Sequence, residues 1–288
     1  NTSPLAGKEG KYLTSRHLRD RLEREVLGNV SIRLEDTDSP DVLEVSGRGE
    51  LQLAVLIESM RREGYELQTS RPEVIVKDID GKRHEPLERG VCDVPEEHVG
   101  TVTQALAPRK GRVTDLRPGD TGRTVITFEA PARGLIGFRG LLLTASRGTA
   151  LLHTHNAGWM PWVGELPHRQ GGAMMADRTG TTTAYALDNL QTRGVLFVGP
   201  GEEVYEGMII GENSRPDDMI VNCVREKQKT NIRTHSADEA IKLTPPKVVT
   251  LESAMEFIAE DELVEVTPQS IRIRKRVLKE QDRRRLKR

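Results

Sequence analysis

Hydrophobic and polar positions in the first seventy residues follow two periods, one typical of helices and one typical of strands. Apolar residues recur four apart between Ser15 and Gly28, which predicts a helix with Ser15 as its N-cap and Gly28 as a left-handed end. Alternation over residues 30–45, around an Asp- and Pro-rich turn, predicts a hairpin. Helical spacing returns over 53–60, and a short strand at 65–68 completes the order α-β-β-α-β.

A first strand would turn this order into a split β-α-β-β-α-β unit, in which two helices cover one face of an antiparallel sheet. Residues 1–12 are rich in Gly, Lys and Pro and lack a strand pattern, so the missing strand is expected upstream if the chain is a fragment. The complete order then repeats between a strand at 86–94 and a strand at 151–155, with a helix opening at Pro95. The predicted junction of the two blocks is at Pro72, because proline disfavours helix in the residue before it.

The third block, from residue 161, is different. Glycine-rich turns separate short apolar runs, and one helix is predicted over 251–261. The sequence therefore predicts an α+β protein with two tandem ferredoxin-like split β-α-β-β-α-β domains and a mainly β C-terminal domain with one helix. The predicted boundaries are 1–71, 72–160 and 161–288.

Charge is distributed unevenly along the 288 residues. Lys plus Arg (43) nearly balance Asp plus Glu (44), which excludes a globally basic nucleic-acid binder. The segment from Arg272 to Arg288 nevertheless contains ten basic and two acidic residues, and a second basic stretch covers 225–233. Such segments orient a protein towards a polyanion, although a solvated basic tail that binds nothing is the alternative.

Patterns for catalysis or metal binding are weak in this sequence. No segment has the glycine spacing and the lysine of a phosphate-binding P-loop. His153 and His155 would share one face of a strand, but no further ligand clusters beside them, so no metal site is predicted. Cys92 and Cys223 fit neither a disulfide framework nor a zinc site, which favours a reducing, cytoplasmic setting. Without an apolar run long enough for a bilayer, these patterns together indicate a binding module.

Four longer segments resemble known translation factors. Residues 46–51 (SGRGEL), followed by a helix ending at 60–65, resemble the third domain of translational GTPases related to elongation factor G. Residues 1–11, 133–139 and 266–276 resemble the BipA/TypA family within that group. The resemblance covers essentially the whole chain and implies domains III, V and the C-terminal domain, with the GTPase domain and the following β-barrel absent. One departure is Gln52, where the family resemblance leads us to expect histidine.

This resemblance implies a function in translation, stress adaptation or ribosome assembly. The implied partners are the bacterial ribosome, large-subunit rRNA and the acceptor end of A-site tRNA, and the protein is expected to be a cytoplasmic monomer without a membrane contact. The fragment itself is not expected to be an enzyme or to hold a cofactor, because GTP and magnesium belong to the absent domain. Arg48 and Glu50 are expected near a domain interface. The implied RNA-binding residues are Lys227, Lys229, Thr230, Asn231, Arg233, Arg272, Arg274, Lys275, Arg276 and Arg284.

Two alternative functions remain open at this stage. One is a protein-interaction module whose split β-α-β-β-α-β sheets pair with a partner, with the basic tail incidental. The other, ranked lower, is a metal-dependent enzyme that uses His153, His155 and nearby carboxylates.

Overall fold

The structure is a computed structural model that describes residues 1–119, 122–166, 169, 171–226 and 241–286. Its helices are α1 (Ser15–Gly28), α2 (Glu50–Arg62), α3 (Val99–Leu106), α4 (Phe138–Ala145), α5 (Ala184–Gln191), α6 (Leu251–Phe257) and α7 (Glu280–Leu286), with 3-10 turns at Glu96–His98 and Ala132–Leu135. Its strands are β1 (Arg33–Asp36), β2 (Leu43–Ser46), β3 (Leu67–Thr69), β4 (Lys77–Ile79), β5 (Lys82–Pro95), β6 (Arg112–Pro118), β7 (Arg123–Pro131), β8 (Leu151–Pro161), β9 (Ala173–Ala176), β10 (Gly180–Thr181), β11 (Gly194–Leu196), β12 (Glu203–Val204), β13 (Met208–Asn213), β14 (Met219–Val221), β15 (Glu262–Val266) and β16 (Ile271–Lys275).

These elements form two compact units. One, here called the central unit, consists of Pro72–His168; the other, here called the composite unit, joins Asn1–Arg71 to Arg169–Arg288. No helix among the described residues is both long enough and apolar enough to cross a membrane. The α+β class predicted from the sequence is confirmed.

The central unit has the split β-α-β-β-α-β topology that its sequence predicts. Its strands lie in the order β8-β5-β7-β6, every neighbouring pair is antiparallel, and β4 adds a short hairpin to the start of β5. Alternate residues of β5 and β7 are buried, as expected for a sheet with one covered face. The core lies between this face and the helices α3 and α4, and it includes Val94, Leu106, Phe128, Phe138 and Leu142.

The composite unit is built from two parts of the chain. β1 and β2 form a separate two-stranded hairpin, whereas β3 pairs with β15 at the edge of a sheet ordered β14-β9-β13-β16-β15-β3, in which β11 also pairs with β13. One hydrophobic core draws on both parts, because Leu22, Leu56 and Met60 pack in the same cluster as Val264 and Ile273. The first predicted domain therefore completes its core with strands from the third.

Several local predictions differ from the structure. Thr14, not Ser15, caps α1, and its side chain accepts a hydrogen bond from the N–H of His17. Gly28 is the last residue of α1 without adopting a left-handed conformation, and Asn29 follows it as the C-cap. The C-terminal domain contains α5 and α7 besides the predicted helix, which ends at Phe257 instead of residue 261. These differences concern element ends and short helices, where local signals are weakest.

Candidate nucleic-acid interface

The basic run of β16 lies directly beside the acidic strand β15. The antiparallel register places Arg272 opposite Glu265 and Lys275 opposite Glu262. Opposite charges at directly opposed positions of a sheet attract each other. Arg272 and Lys275, which the sequence alone suggests are free to bind a partner, therefore lie opposite carboxylates of the neighbouring strand.

Arg272 belongs to a polar network between the first residues of the chain and β15. Its side chain is 12% exposed, its Nη1 donates to Glu265 Oε1 at 3.1 Å, and its Nη2 donates to Glu9. The buried Glu265 also accepts from Ser3 Oγ at 2.5 Å and from the Tyr205 hydroxyl at 2.7 Å. Burial and the neighbouring Glu265 carboxylate raise the pKa of Tyr205, which keeps this hydroxyl protonated as a donor.

Arg274 is buried, with 3% of its surface exposed. Its Nη1 donates to the carbonyl of Lys275 at 3.2 Å, and its Nη2 donates to Thr2 Oγ1 at 3.0 Å and to Gln68 Oε1. Its Nε has no hydrogen-bond partner among the described residues. This guanidinium therefore links β16 to β3 and to the start of the chain.

Lys275 is buried and contacts three carboxylates, of which Glu262 is fully buried. Its Nζ lies 2.7 Å from Asp218 Oδ2 and 2.9 Å from both Asp261 Oδ2 and Glu262 Oε1. Arg169 completes the cluster with two hydrogen bonds to Glu262, at 2.7 and 2.9 Å. Burial on its own lowers the pKa of Lys275, but the attraction of the three carboxylates outweighs it and raises that pKa. The ammonium is therefore charged and fully engaged inside the protein.

These contacts correct the expectation for three of the predicted RNA-binding residues. Arg272, Arg274 and Lys275 do not form an exposed basic tail, because their head groups are held in intramolecular ion pairs and hydrogen bonds. Burying a cation without a partner costs a large amount of free energy. β15 and the segment 1–10 supply acceptors and so lower that cost.

Arg276 and Arg284 remain on the surface. Arg276 is exposed, and its Nη2 contacts only the carbonyl of Glu260 at 3.3 Å among the described residues. On α7 the Arg284 side chain is 77% exposed and pairs with Glu280 one turn earlier. Such surface pairs are weak, so a phosphate group is able to compete for these guanidinium groups.

The predicted basic loop lies outside the described residues, including Lys227, Lys229, Thr230, Asn231 and Arg233. Its two described flanks are both fixed to α5. Thr183, the N-cap of α5, donates from Oγ1 to the carbonyl of Arg225 at 2.5 Å. At the other end of α5, Gln191 Nε2 donates to the carbonyl of Lys242 at 3.0 Å. The sequence analysis missed α5, although Thr183 followed by apolar residues at 186, 187 and 190 is a recognisable start signal.

Arg48 and Glu50 lie at the start of α2. Arg48 is exposed, and its backbone N–H donates to Gln52 Oε1 at 2.8 Å. Gln52 Nε2 donates in turn to Ser31 Oγ at 2.5 Å, so the residue found in place of the expected histidine connects α2 to the segment before β1. Glu50 lies in the first turn, where a negative charge stabilises a helix. An interface role for Arg48 and Glu50 stays a prediction.

The described residues contain neither a cluster suited to a metal ion nor a reactive thiol. His153 and His155 are exposed on β8, and no group of three His, Cys, Asp or Glu residues suited to a metal ion occurs among the described residues. Cys92 and Cys223 are buried, and burial raises the pKa of each thiol to about 11. Neither thiol is therefore a nucleophile at neutral pH.

Two family models match consecutive parts of the chain. Residues 82–170 match the elongation factor G C-terminus, and residues 171–280 match the TypA/BipA C-terminal domain. The first range covers most of the central unit, and the second covers most of the C-terminal part of the composite unit.

Curated relatives are similar over the whole chain. A protein of Escherichia coli (strain K12) named large ribosomal subunit assembly factor BipA is 52% identical over 291 residues, covering 100% of this chain and 48% of that protein. Proteins of the same name from Haemophilus influenzae and Bacillus subtilis are 52% and 46% identical, covering 100% and 98% of this chain and 47% and 46% of their own lengths. The chain thus spans about half the length of these relatives. With the TypA/BipA C-terminal domain at 171–280 and this identity along its whole length, the chain belongs to the BipA/TypA family of translational GTPases.

Proposed function

We propose that this chain is the ribosome-binding part of a translational GTPase that acts in assembly of the large ribosomal subunit. The observation that carries the proposal is the 52% identity along the whole chain to proteins named large ribosomal subunit assembly factors. In the full protein a separate domain binds GTP and magnesium. The 288 residues contain no P-loop pattern, so we expect the purified chain to hydrolyse no GTP.

The proposed RNA contact is the loop over 227–233 together with the exposed cations Arg276 and Arg284. Lys and Arg bind phosphates without reading the base sequence, and each contact releases counterions from the RNA. Thr230 and Asn231 supply hydrogen-bonding groups suited to 2′-hydroxyls. Hydrogen bonds from α5 to the carbonyls of Arg225 and Lys242, on either side of the loop segment, support a contact by this segment with large-subunit rRNA and the acceptor end of A-site tRNA.

Charge reversal of the loop tests this proposal. The variant Lys227→Glu, Lys229→Glu, Arg233→Glu is compared with the unmodified chain by co-sedimentation with 50S subunits between 50 and 200 mM potassium chloride. We expect the unmodified chain to bind with a steep salt dependence, and the variant to bind weakly with a reduced slope, because about one counterion is released per phosphate contact.

A matched variant separates the loop from total charge. Lys82→Glu, Lys110→Glu, Arg117→Glu introduces the same change in net charge at exposed positions of the central unit. Equal loss of binding in both variants, or undiminished binding of the loop variant, contradicts the role proposed for the loop.

A further inference from the structure

The outer edge of β8 has an unusual composition. Within its sheet β8 pairs with β5 on one side, and no described strand of the sheet lies on the other. Side chains at positions 153–157 are all exposed, and Leu151 is 55% exposed. Residues 148–164 contain no Lys, Arg, Asp or Glu, and this is the longest uncharged run in a chain whose residues are 30% charged.

Natural sheets protect their edges because unpaired N–H and C=O groups are a template for another strand. Charged side chains, proline and β-bulges are the common means of protection. In β8 an irregularity in register occurs near Gly158, whose φ is +109°, and Pro161 ends the strand. The regular part before the irregularity, residues 151–156, has neither a charged residue nor a proline.

One contact shows which backbone groups point away from β5. Arg139 of α4 donates from Nη2 to the carbonyl of Leu152 at 3.0 Å, so this carbonyl faces the outer edge. Outward and inward groups alternate along a strand, with the N–H and C=O of one residue on the same side. Thr154 and Asn156 therefore present their N–H and C=O groups outward as well.

Two exposed arginines lie near the start of β8. Arg139 and Arg147 are exposed, and neither forms an ion pair with a described carboxylate. Arg89, opposite His155 in the register, shares the carboxylate of Glu129 with Arg112. On β5, Glu88 lies opposite Asn156, and Asp93, opposite Leu151, pairs with Arg123. The strand edge is thus uncharged, and the charged groups near it still include more arginines than carboxylates.

We propose that residues 151–156 of β8 are a docking site for an extended polypeptide segment of another protein, with an uncharged centre and carboxylates at its ends. Such a segment extends the sheet by strand addition, and its carboxylates meet Arg139 and Arg147. The chemistry favours a peptide over RNA, because the N–H and C=O groups along the edge repeat at the spacing of a β-strand, and another extended polypeptide backbone matches that repeat whereas a sugar-phosphate backbone does not. A second copy of this chain is disfavoured, because it brings the same cations to the same edge. The proposal is independent of rRNA binding by the 227–233 loop.

The test uses a designed peptide and a pair of variants in the 288-residue chain. The probe is a fluorescein-labelled peptide, Glu-Glu-Thr-Val-Thr-Val-Thr-Glu-Glu, followed by fluorescence anisotropy. Thr154→Pro removes one outward N–H, which an edge strand tolerates, whereas Thr154→Val keeps it. We expect saturable binding to the unmodified chain and to Thr154→Val, and binding about tenfold weaker to Thr154→Pro.

Two further probes keep the result independent of how well the proline variant folds. The first probe is the same peptide with N-methyl groups on every second central amide. Of its two possible versions, we expect the one methylated on the amides that face β8 to lose binding. The second probe has lysines in place of the glutamates, and we expect it to bind at least about tenfold more weakly. Absence of saturable binding, or equal binding by Thr154→Pro in a folded state, overturns the proposal. The proposal is also overturned if the chain binds an oligouridine probe and Thr154→Pro abolishes this binding, which would favour RNA. It is overturned likewise if sedimentation velocity shows a concentration-dependent dimer that Thr154→Pro abolishes, which would favour a second copy of the chain.

Discussion

The two compact units are held together in different ways. The central unit closes its own sheet from consecutive parts of the chain, and its core is apolar around Phe128 and Phe138, whose ring centroids lie 5.9 Å apart. Among its described residues it buries one carboxylate, Glu85, which pairs with Arg133 of the same unit. The composite unit joins residues 1–71 to a part of the chain that begins almost one hundred residues later, and it buries charged groups where the two parts meet. An apolar side chain packs well against many different apolar neighbours, whereas a buried charged group needs an opposite charge or a hydrogen-bond partner in a particular position.

Glu66 illustrates this selectivity. The residue is fully buried, and its carboxylate accepts the backbone N–H groups of Gly7 at 2.8 Å, Glu9 at 2.9 Å and Gly10. A Cβ on Gly10 would lie 2.4 Å from Glu66 Cγ, so this close approach requires glycine. We infer that directional contacts of this kind determine how the segment 1–10 packs, because a displaced segment leaves a buried carboxylate without donors.

The largest effect is expected from Lys275→Met. This change keeps most of the side-chain volume but leaves the carboxylates of Asp218 and Glu262 with Arg169 as their remaining described cation. Loss of one partner of a buried ion pair costs about 3–5 kcal/mol of unfolding free energy. Urea unfolding followed by far-UV circular dichroism measures this loss.

The same experiment tests whether the two units differ. Both tryptophans of the chain, Trp159 and Trp162, lie in the central unit, so tryptophan fluorescence follows that unit alone. We expect its transition to be unchanged in Lys275→Met. The matched control is Lys8→Met, which removes a surface pair with Glu203 and costs less than about 1 kcal/mol. Equal effects of the two substitutions, or a shift of the fluorescence transition, would contradict the comparison.

A smaller effect is expected in the central unit from Gly90→Ala. A Cβ at Gly90 would lie 2.2 Å from Phe128 Cζ, so the ring must move within a packed core. Overpacking of this kind costs about 1–3 kcal/mol, and here the tryptophan fluorescence transition is expected to shift. Gly100→Ala is the control, because a Cβ there meets nothing within 4 Å and alanine favours the helix α3. Destabilisation by Gly100→Ala of the same size would show that Phe128 is not the cause.

The smallest effect is expected from mild acid. Burial raises the pKa of Glu66, but the backbone N–H groups of Gly7, Gly10 and Glu9 outweigh it and lower that pKa. The pKa of Asp218 is likewise lowered, because Lys275 and the N–H of Ala173 outweigh burial. A carboxyl with a lowered pKa in the folded state stabilises the protein above its ordinary pKa, 4.5 for Glu, and this contribution is lost as pH falls through the folded-state value.

The acid effect should therefore be larger in the composite unit, which has more buried carboxylates among the described residues. Between pH 6 and pH 3.5 we expect the circular dichroism midpoint of the composite unit to fall more than the tryptophan fluorescence midpoint of the central unit. In the central unit the lowered pKa of Glu129 comes from exposed arginines, and exposed pairs contribute little. A parallel fall of both midpoints would argue against a special role for the buried carboxylates.

The sequence predicted the individual helices and hairpins better than it predicted which distant strands pair with each other. The helices near 15–28 and 53–60 and the hairpin of 30–45 follow from side-chain periods that are set by neighbours along the chain. The pairing of β3 with β15 has no such signal, because almost two hundred residues separate the two strands.

The candidate site shows the same limit. Lys and Arg at 272–276 have the same sequence signature whether they face RNA or buried carboxylates, and the deciding residues, such as Glu9 and Glu265, are identified by contact alone. One available signal was the pairing of an acidic strand, ELVEV, with a basic one, IRIRK, across a short turn. Arg276 and Arg284 are exposed, and their role in RNA binding stays a prediction.

The split composition of the composite unit has a consequence for synthesis on the ribosome. At about 5–20 residues per second, residues 1–71 emerge roughly 10–40 s before β15 and β16 leave the exit tunnel. During that interval the apolar faces of α1 and α2 and the edge of β3 lack the strands that cover them, while the central unit emerges complete and is free to fold. Residues 1–71 are therefore the part of this chain most open to chaperone binding and aggregation during synthesis, and slowing translation over 72–261 should prolong that state.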